Sequence, residues 1–144
     1  MNSIQNQEFY NIARDLAFQL VREATWYQKR CCWTGHELGT IEGQYKIVFR
    51  SFGADLYNGS AGIVLFLANF NRYENDPIVK KTIEGAVLNM MQLVEGDEQL
   101  SQFSYYSGSP GIAHTIYRVA SLMDRSDWKE FAVAMFDEIT KHTP

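Results

Sequence analysis

The heptapeptide YNGSAGI at residues 57–63 returns as YSGSPGI at residues 106–112. Five of the seven positions agree: Tyr57 with Tyr106, Gly59 with Gly108, Ser60 with Ser109, Gly62 with Gly111 and Ile63 with Ile112. The copies lie 49 residues apart (57 to 106), and each leads into a segment rich in apolar residues: AGIVLFLANF (61–70) and GIAHTIYRVA (111–120). Self-similarity at a fixed period of this size marks a repeated supersecondary unit. Here the unit reads as a glycine turn, a mostly buried helix, a polar turn and an amphipathic helix.

A Gly-x-x-Gly ahead of a helix could cradle a phosphate, because the first amides of a helix are free and its dipole attracts anions. A P-loop needs Gly-Lys-Ser/Thr, and no lysine follows either copy. A dinucleotide site needs a preceding parallel strand and a third glycine, and the sequence offers neither. The duplication itself favours packing over ligand binding. Gly59 and Gly108 are therefore read as tight turns with positive φ. Gly62 and Gly111, in the first helical turn, are read as places where two backbones approach closely. Tyr57 and Tyr106 recur with them and share a packing role.

The surrounding segments fit the same plan. Phe9, Ile12, Ala13, Leu16, Ala17, Leu20 and Ala24 repeat at helical spacing and predict a helix over about 7–26 with that face buried. Residues 28–58 break the pattern. QYKIVFR (44–50) alternates Tyr45, Ile47 and Phe49 with Lys46, Val48 and Arg50, which predicts a short β-hairpin or extended loop near residues 31–52. Asp76-Pro77 reads as an N-cap and first helical position. Val79, Ile83, Ala86, Val87, Met90 and Val94 then mark a one-sided helix. EGDEQLSQ (95–102) reads as a polar connection. Ser109-Pro110 repeats the cap-then-proline signal before Ile112, Ala113, Ile116, Tyr117, Ala120 and Met123. Ser126 reads as the cap of a last helix, with Trp128, Phe131, Ala132, Met135, Phe136 and Ile139 inside.

Bulk properties narrow the function. The 144 residues form one domain, with 46% hydrophobic, 14% aromatic and 21% charged content, as in globular proteins. A net charge of −4 and no basic block argue against a nucleic-acid surface. The longest apolar run, 63–68, is too short to cross a bilayer. The first residues lack a basic start followed by an apolar stretch, so no secretory signal is read there. Adjacent Cys31 and Cys32 are no disulfide framework, and a reducing cytoplasm is the expected location.

DLYNGSAGIVLFLANF (55–70) and FSYYSGSPGIAHTIYRVA (103–120) resemble the repeated Gly-Gly helix starts of the lanthionine synthetase C-like family, the lantibiotic cyclases and their relatives. ATWYQKRCCWTG (24–35), with its spacing to the first copy, is similar to the amino-terminal part of many such proteins. The resemblance covers roughly residues 8–142. It implies an all-α fold of helical hairpins in an α/α toroid, of which this chain is a partial ring, since the family's domain is well over twice as long. It also implies a reaction, the addition of a precursor-peptide cysteine thiol to a dehydroalanine or dehydrobutyrine. In the family a zinc ion on two cysteines and one histidine lowers the thiol pKa, and an acid/base group protonates the resulting enolate. Those ligands belong to Cys-Tyr-Gly and Cys-His-Gly segments, which do not occur here. The expectation is an amino-terminal scaffold, not catalytic alone, with no catalytic residue and no cofactor of its own.

Other residues invite a sharper role. Cys31, Cys32 and His36 suggest zinc, but adjacent cysteines seldom share one tetrahedral ion, and the plainer reading is a loop packed by Cys31 and Trp33. His114 reads as a hydrogen-bonded core histidine, with a ring-lining role as the alternative. His142 carries no argument. Asp55 reads as a cap on the first glycine turn, with a catalytic role as the alternative. Asp55 and Asp124 make no persuasive carboxylate pair for a carbohydrate-active α/α barrel. The expected partners are a precursor peptide or a protein, with a stand-alone peptide-binding module as the alternative function. Self-association is also expected, through an open edge bearing Trp128, Phe131, Met135 and Phe136.

Overall fold

Helical spacing of apolar residues resolves into five helices among the described residues. They are α1 (Ser3–Glu23), α2 (Ser60–Glu74), α3 (Pro77–Gly96), α4 (Ser109–Met123) and α5 (Ser126–Lys141). Between α1 and α2 lie β1 (Thr25–Tyr27), β2 (Arg30–Cys32), β3 (Thr34–Ile41) and β4 (Gln44–Ser51), paired as two separate antiparallel hairpins. The computed structural model describes residues 3–57, 59–96 and 104–141. His142 lies outside the described residues, as does the connection read over 95–102 apart from 95–96, which still belong to α3. The fold class is that read from the sequence: helical hairpins with a β insertion. No helix among the described residues is long and apolar enough to cross a membrane.

The repeat persists in three dimensions. Helices α2 and α4 have 15 residues each. Their N-caps share one conformation, Gly59 at φ −127°, ψ −168° and Gly108 at φ −130°, ψ −173°. Both helices end on a left-handed residue, Asn75 (φ 50°) and Asp124 (φ 55°), the side chains besides glycine that best tolerate that region. Helix α3 packs on α2, α5 on α4, and α2 lies beside α4, while α1 reaches α2 and α3. The core runs through Val64 and Leu67 of α2, Ile83 and Met90 of α3, and Ile112 and Ile116 of α4, all without exposed surface.

Asp76 caps α3 as the sequence suggests: its Oδ1 accepts from the Ile78 and Val79 amides at 2.8 and 3.1 Å. Two other caps differ. Gly108, not Ser109, is the N-cap of α4, and Ser126 is already the first residue of α5. On α4 the inward position read for Tyr117 belongs to Val119, and Tyr117 is exposed.

Helix α1 buries part of the stripe its periodicity suggests, at Ala13, Ala17 and Leu20, and turns the rest outward. Phe9, Ile12 and Leu16 are exposed, whereas Ala17 is fully buried and Ala13, Phe18, Leu20 and Val21 are partly so. Contacts at i, i+4 and i+8 choose the face. Tyr10 donates its hydroxyl to Glu74, and that carboxylate holds the phenol pKa above its usual value. Arg14 pairs with Glu74 at 3.5 Å, and Phe18 sets an edge against Phe70.

The β insertion is fuller than a single short hairpin. Strands β3 and β4 pair from Thr34↔Ser51 to Ile41↔Gln44 around Glu42-Gly43. Both turn residues have positive φ (53° and 79°), the signature of a two-residue turn matched to strand twist. The insertion is anchored near its base: the Phe52 amide donates to the Trp33 carbonyl at 2.8 Å, and Trp33 Nε1 donates to the Leu20 carbonyl at 2.8 Å. Strand β2 lies on α3, where Cys31 is buried and its thiol donates to the Thr82 carbonyl at 3.2 Å.

Candidate functional site: the paired glycine turns

The first amides of a helix have no partner within it. For α2 the preceding turn supplies them: the Ser60 amide donates to the Gly53 carbonyl at 2.8 Å, and the Ala61 amide to the Asp55 carbonyl at 3.3 Å. To bring those carbonyls there, the turn must fold tightly beneath the helix. A Cβ on Gly59 would stand 2.6 Å from Asp55 N, Asp55 O and Gly53 O. A Cβ on Gly62 would stand 2.8 Å from the Leu56 carbonyl oxygen. In the second copy, a Cβ on Gly111 would collide with the Tyr105 carbonyl oxygen. Leu56 and Tyr105 are separated by the repeat spacing, as are Gly62 and Gly111. The glycines thus serve close approach. The positive φ expected at Gly59 and Gly108 is corrected: both are extended, a conformation open to any residue.

The two turns are tied to each other. The Tyr57 amide donates to the Tyr106 carbonyl at 2.9 Å. Leu56 Cβ lies 3.7 Å from where a Gly111 Cβ would be. The starts of α2 and α4 therefore share one rim. Tyr57, Tyr106 and Ser107 line an open hollow of about 370 Å3 on it, and both tyrosine rings are exposed. Tyr105 stands edge-on to Tyr106 at 5.2 Å, and its hydroxyl is 2.6 Å from His114 Nδ1. A neutral imidazole accepting at Nδ1 carries its proton on Nε2. His114 is hydrogen-bonded as expected, but it is exposed on the rim and not part of the core. The reason is that α4 turns Ile112, Ala113 and Ile116 inward, and helical rotation carries position 114 to the opposite side. Tyr105 was missed in the sequence because it stands one residue before the repeated heptapeptide.

Asp55 lies in the first turn, where its backbone carbonyl contributes a cap bond. Asp124 is the C-cap at the far end of α4. The rim holds the N-terminal ends of α2 and α4, so Asp124 is separated from Asp55 by about the length of a 15-residue helix, roughly 22 Å. No carboxylate pair forms.

Cys31, Cys32 and His36 do not converge either. Burial, and then the neighbouring Cys32, pushes the Cys31 thiol up to about 12. Successive residues of a strand project to opposite faces, which turns Cys32 away from Cys31. His36 lies against Phe49 on an exposed face of β3–β4. Among the described residues no three His, Cys, Asp or Glu side chains could together hold a metal. The zinc of the resemblance needs two cysteines and one histidine brought together, and among the described residues these side chains form no such group.

A second hollow, about 430 Å3, lies between the β1–β2 hairpin, α3 and the start of α5. Its signal in the sequence was Gly85, a glycine in mid-helix. A Cβ there would meet the Trp26 ring at 2.6 Å and Cys31 Sγ at 3.2 Å. Arg125 stacks on Trp128 at 4.2 Å and bonds Asp127 at 2.8 and 3.0 Å. That hydrogen bond raises the Arg125 pKa and lowers that of Asp127. On α5, Trp128 and Met135 are buried and Phe131 and Phe136 partly so. Helix α5 packs on α4, and Phe131 and Phe136 of the apolar edge expected there keep part of their surface exposed.

A family model described as lanthionine synthetase C-like protein matches residues 50–143, a span that holds both glycine turns and helices α2 to α5. No curated protein matches the chain.

Proposed function

The chain belongs to the lanthionine synthetase C-like family, and from that we propose that it is the amino-terminal scaffold of such a protein, two or three hairpins of an α/α toroid that form one wall of a peptide groove. The observation that carries this reading is the Tyr57–Tyr106 bond. It sets two copies of one turn side by side, so that exposed aromatic rings line a single rim. The proposed occupant is a precursor peptide bearing cysteine and dehydrated residues. A rim of tyrosines suits it, since aromatic side chains give large contact area at low entropy cost. No residue of the chain is assigned a part in holding zinc or in activating the peptide thiol. The proposed location is the cytoplasm. A stand-alone peptide-binding module is the second reading, favoured by the same exposed rim.

A fluorescent peptide containing one cysteine and one dehydroalanine tests both. Binding should weaken about tenfold when Tyr57 and Tyr106 are both changed to alanine. With zinc present, the chain alone should leave the peptide thiol titratable. Thioether formation that disappears in Cys31→Ser would overturn the scaffold reading. Equal binding of a peptide lacking both reactive residues would favour the stand-alone module.

A further inference from the structure

The β3–β4 hairpin carries an uncovered apolar face. Its cross-strand pairs put His36 with Phe49, Leu38 with Ile47 and Thr40 with Tyr45 on one side. On that side Leu38 is 66% exposed, Tyr45 78%, Ile47 76% and Phe49 63%. Lys46 and Arg50 belong to the opposite side, where the alternation of the strand places them. The apolar side therefore bears no lysine, arginine, aspartate or glutamate. A two-stranded hairpin is marginal in water and needs a cover for such a face. The hairpin also precedes nearly all of the segment that matches the family, so the repeated helical units do not account for it.

We propose that this face is covered by the same face of a second copy of the chain, in a two-fold dimer. Its neutrality selects the partner. A charged surface would find no counter-charge there and would lose its own hydration, whereas an identical face brings Leu38, Tyr45, Ile47 and Phe49, with His36 and Thr40 as its polar groups. Two-fold pairing is the commonest closed arrangement of identical chains. The area is adequate: at roughly 200 Å2 for a large side chain, the four exposed residues offer on the order of 500 Å2 per copy. Two copies would then bury about 1,000 Å2, the threshold of a specific interface. Ile47, in the middle of the face, lies nearest the two-fold axis. The proposal stands apart from the scaffold reading, which concerns the rim of α2 and α4.

Light scattering on the purified chain across micromolar to submillimolar concentrations reads the result. The expected mass rises from 16.6 kDa to twice that value. Ile47→Glu should weaken association by at least about tenfold, because a carboxylate would be buried without a partner. Ile12→Glu, on the exposed side of α1, should leave it unchanged. If Ile47→Glu disturbs the hairpin itself, Ile47→Cys gives an independent reading: mild oxidation should join two chains through residue 47. A monomer at every concentration would overturn the proposal. So would a dimer lost in Ile12→Glu and kept in Ile47→Glu, open-ended oligomers, or an Ile47→Cys protein that stays uncross-linked.

Discussion

Replacing Gly111 with alanine sets two effects against each other. In an open helix interior the exchange stabilises by about 1 kcal/mol, because glycine has more backbone entropy to lose. At Gly111 the new methyl group falls on the Tyr105 carbonyl oxygen, a main-chain atom that cannot rotate aside. Relieving the clash means withdrawing the turn that also accepts the Tyr57 amide through Tyr106. Overpacking costs about 1–3 kcal/mol and a lost turn hydrogen bond about 1 kcal/mol more. The net expectation is a loss of about 1–3 kcal/mol. Gly62→Ala should lose less, since its methyl would stand 2.8 Å from the Leu56 oxygen. Gly96→Ala is the control, with nothing within 4 Å of the new methyl, and should be neutral or gain a little. Thermal melts separate the three, at roughly 4 °C per kcal/mol for a domain of this size. A Gly111→Ala protein that melts at or above the parent would refute the close-approach account of the repeated glycines.

Iodoacetamide at mildly alkaline pH should label Cys32 in the folded chain and leave Cys31 unlabelled until urea unfolds it; peptide mass spectrometry reads the outcome, and rapid native labelling of Cys31 would contradict its burial. The same raised pKa has a definite sign in stability. Its contribution is fully present below the unfolded thiol value of 9.0 and is lost as pH rises toward about 12, so the alkaline fall of the urea midpoint should be shallower in Cys31→Ala. Arg125→Ala should cost about 1 kcal/mol, more than Asp127→Asn, because it removes the stack on Trp128 as well as the ion pair; equal costs in urea melts would count against the stacking. Gly85→Ala should displace the Trp26 ring, and tryptophan emission should shift to longer wavelength while the helical circular dichroism is kept.

Local signals were the legible ones. Glycine, proline and Asp76 mark helix starts because they act on their own backbone, and the alternation of Tyr45, Ile47 and Phe49 marks a strand for the same reason. What required contacts distant in sequence was hidden. The buried face of α1 is chosen by Tyr10 and Arg14 meeting Glu74, some sixty residues away. Alternation announces two faces of β3–β4 but not that the apolar one stays uncovered. A glycine permits positive φ and close contact alike, so Gly59 and Gly108 could be misread while the turns were rightly placed. Tyr105 became visible only as the partner of His114, and the partner of Gly85 only when β1–β2 folded onto α3.

A scaffold that holds a peptide without activating its thiol has no use for zinc, so the metal content of the chain discriminates. The purified chain, dialysed against buffered zinc and then against buffer alone, should retain far less than one zinc per chain, with no difference between the parent, Cys31→Ser and His36→Ala. About one zinc per chain, lost in either variant, would overturn the scaffold reading.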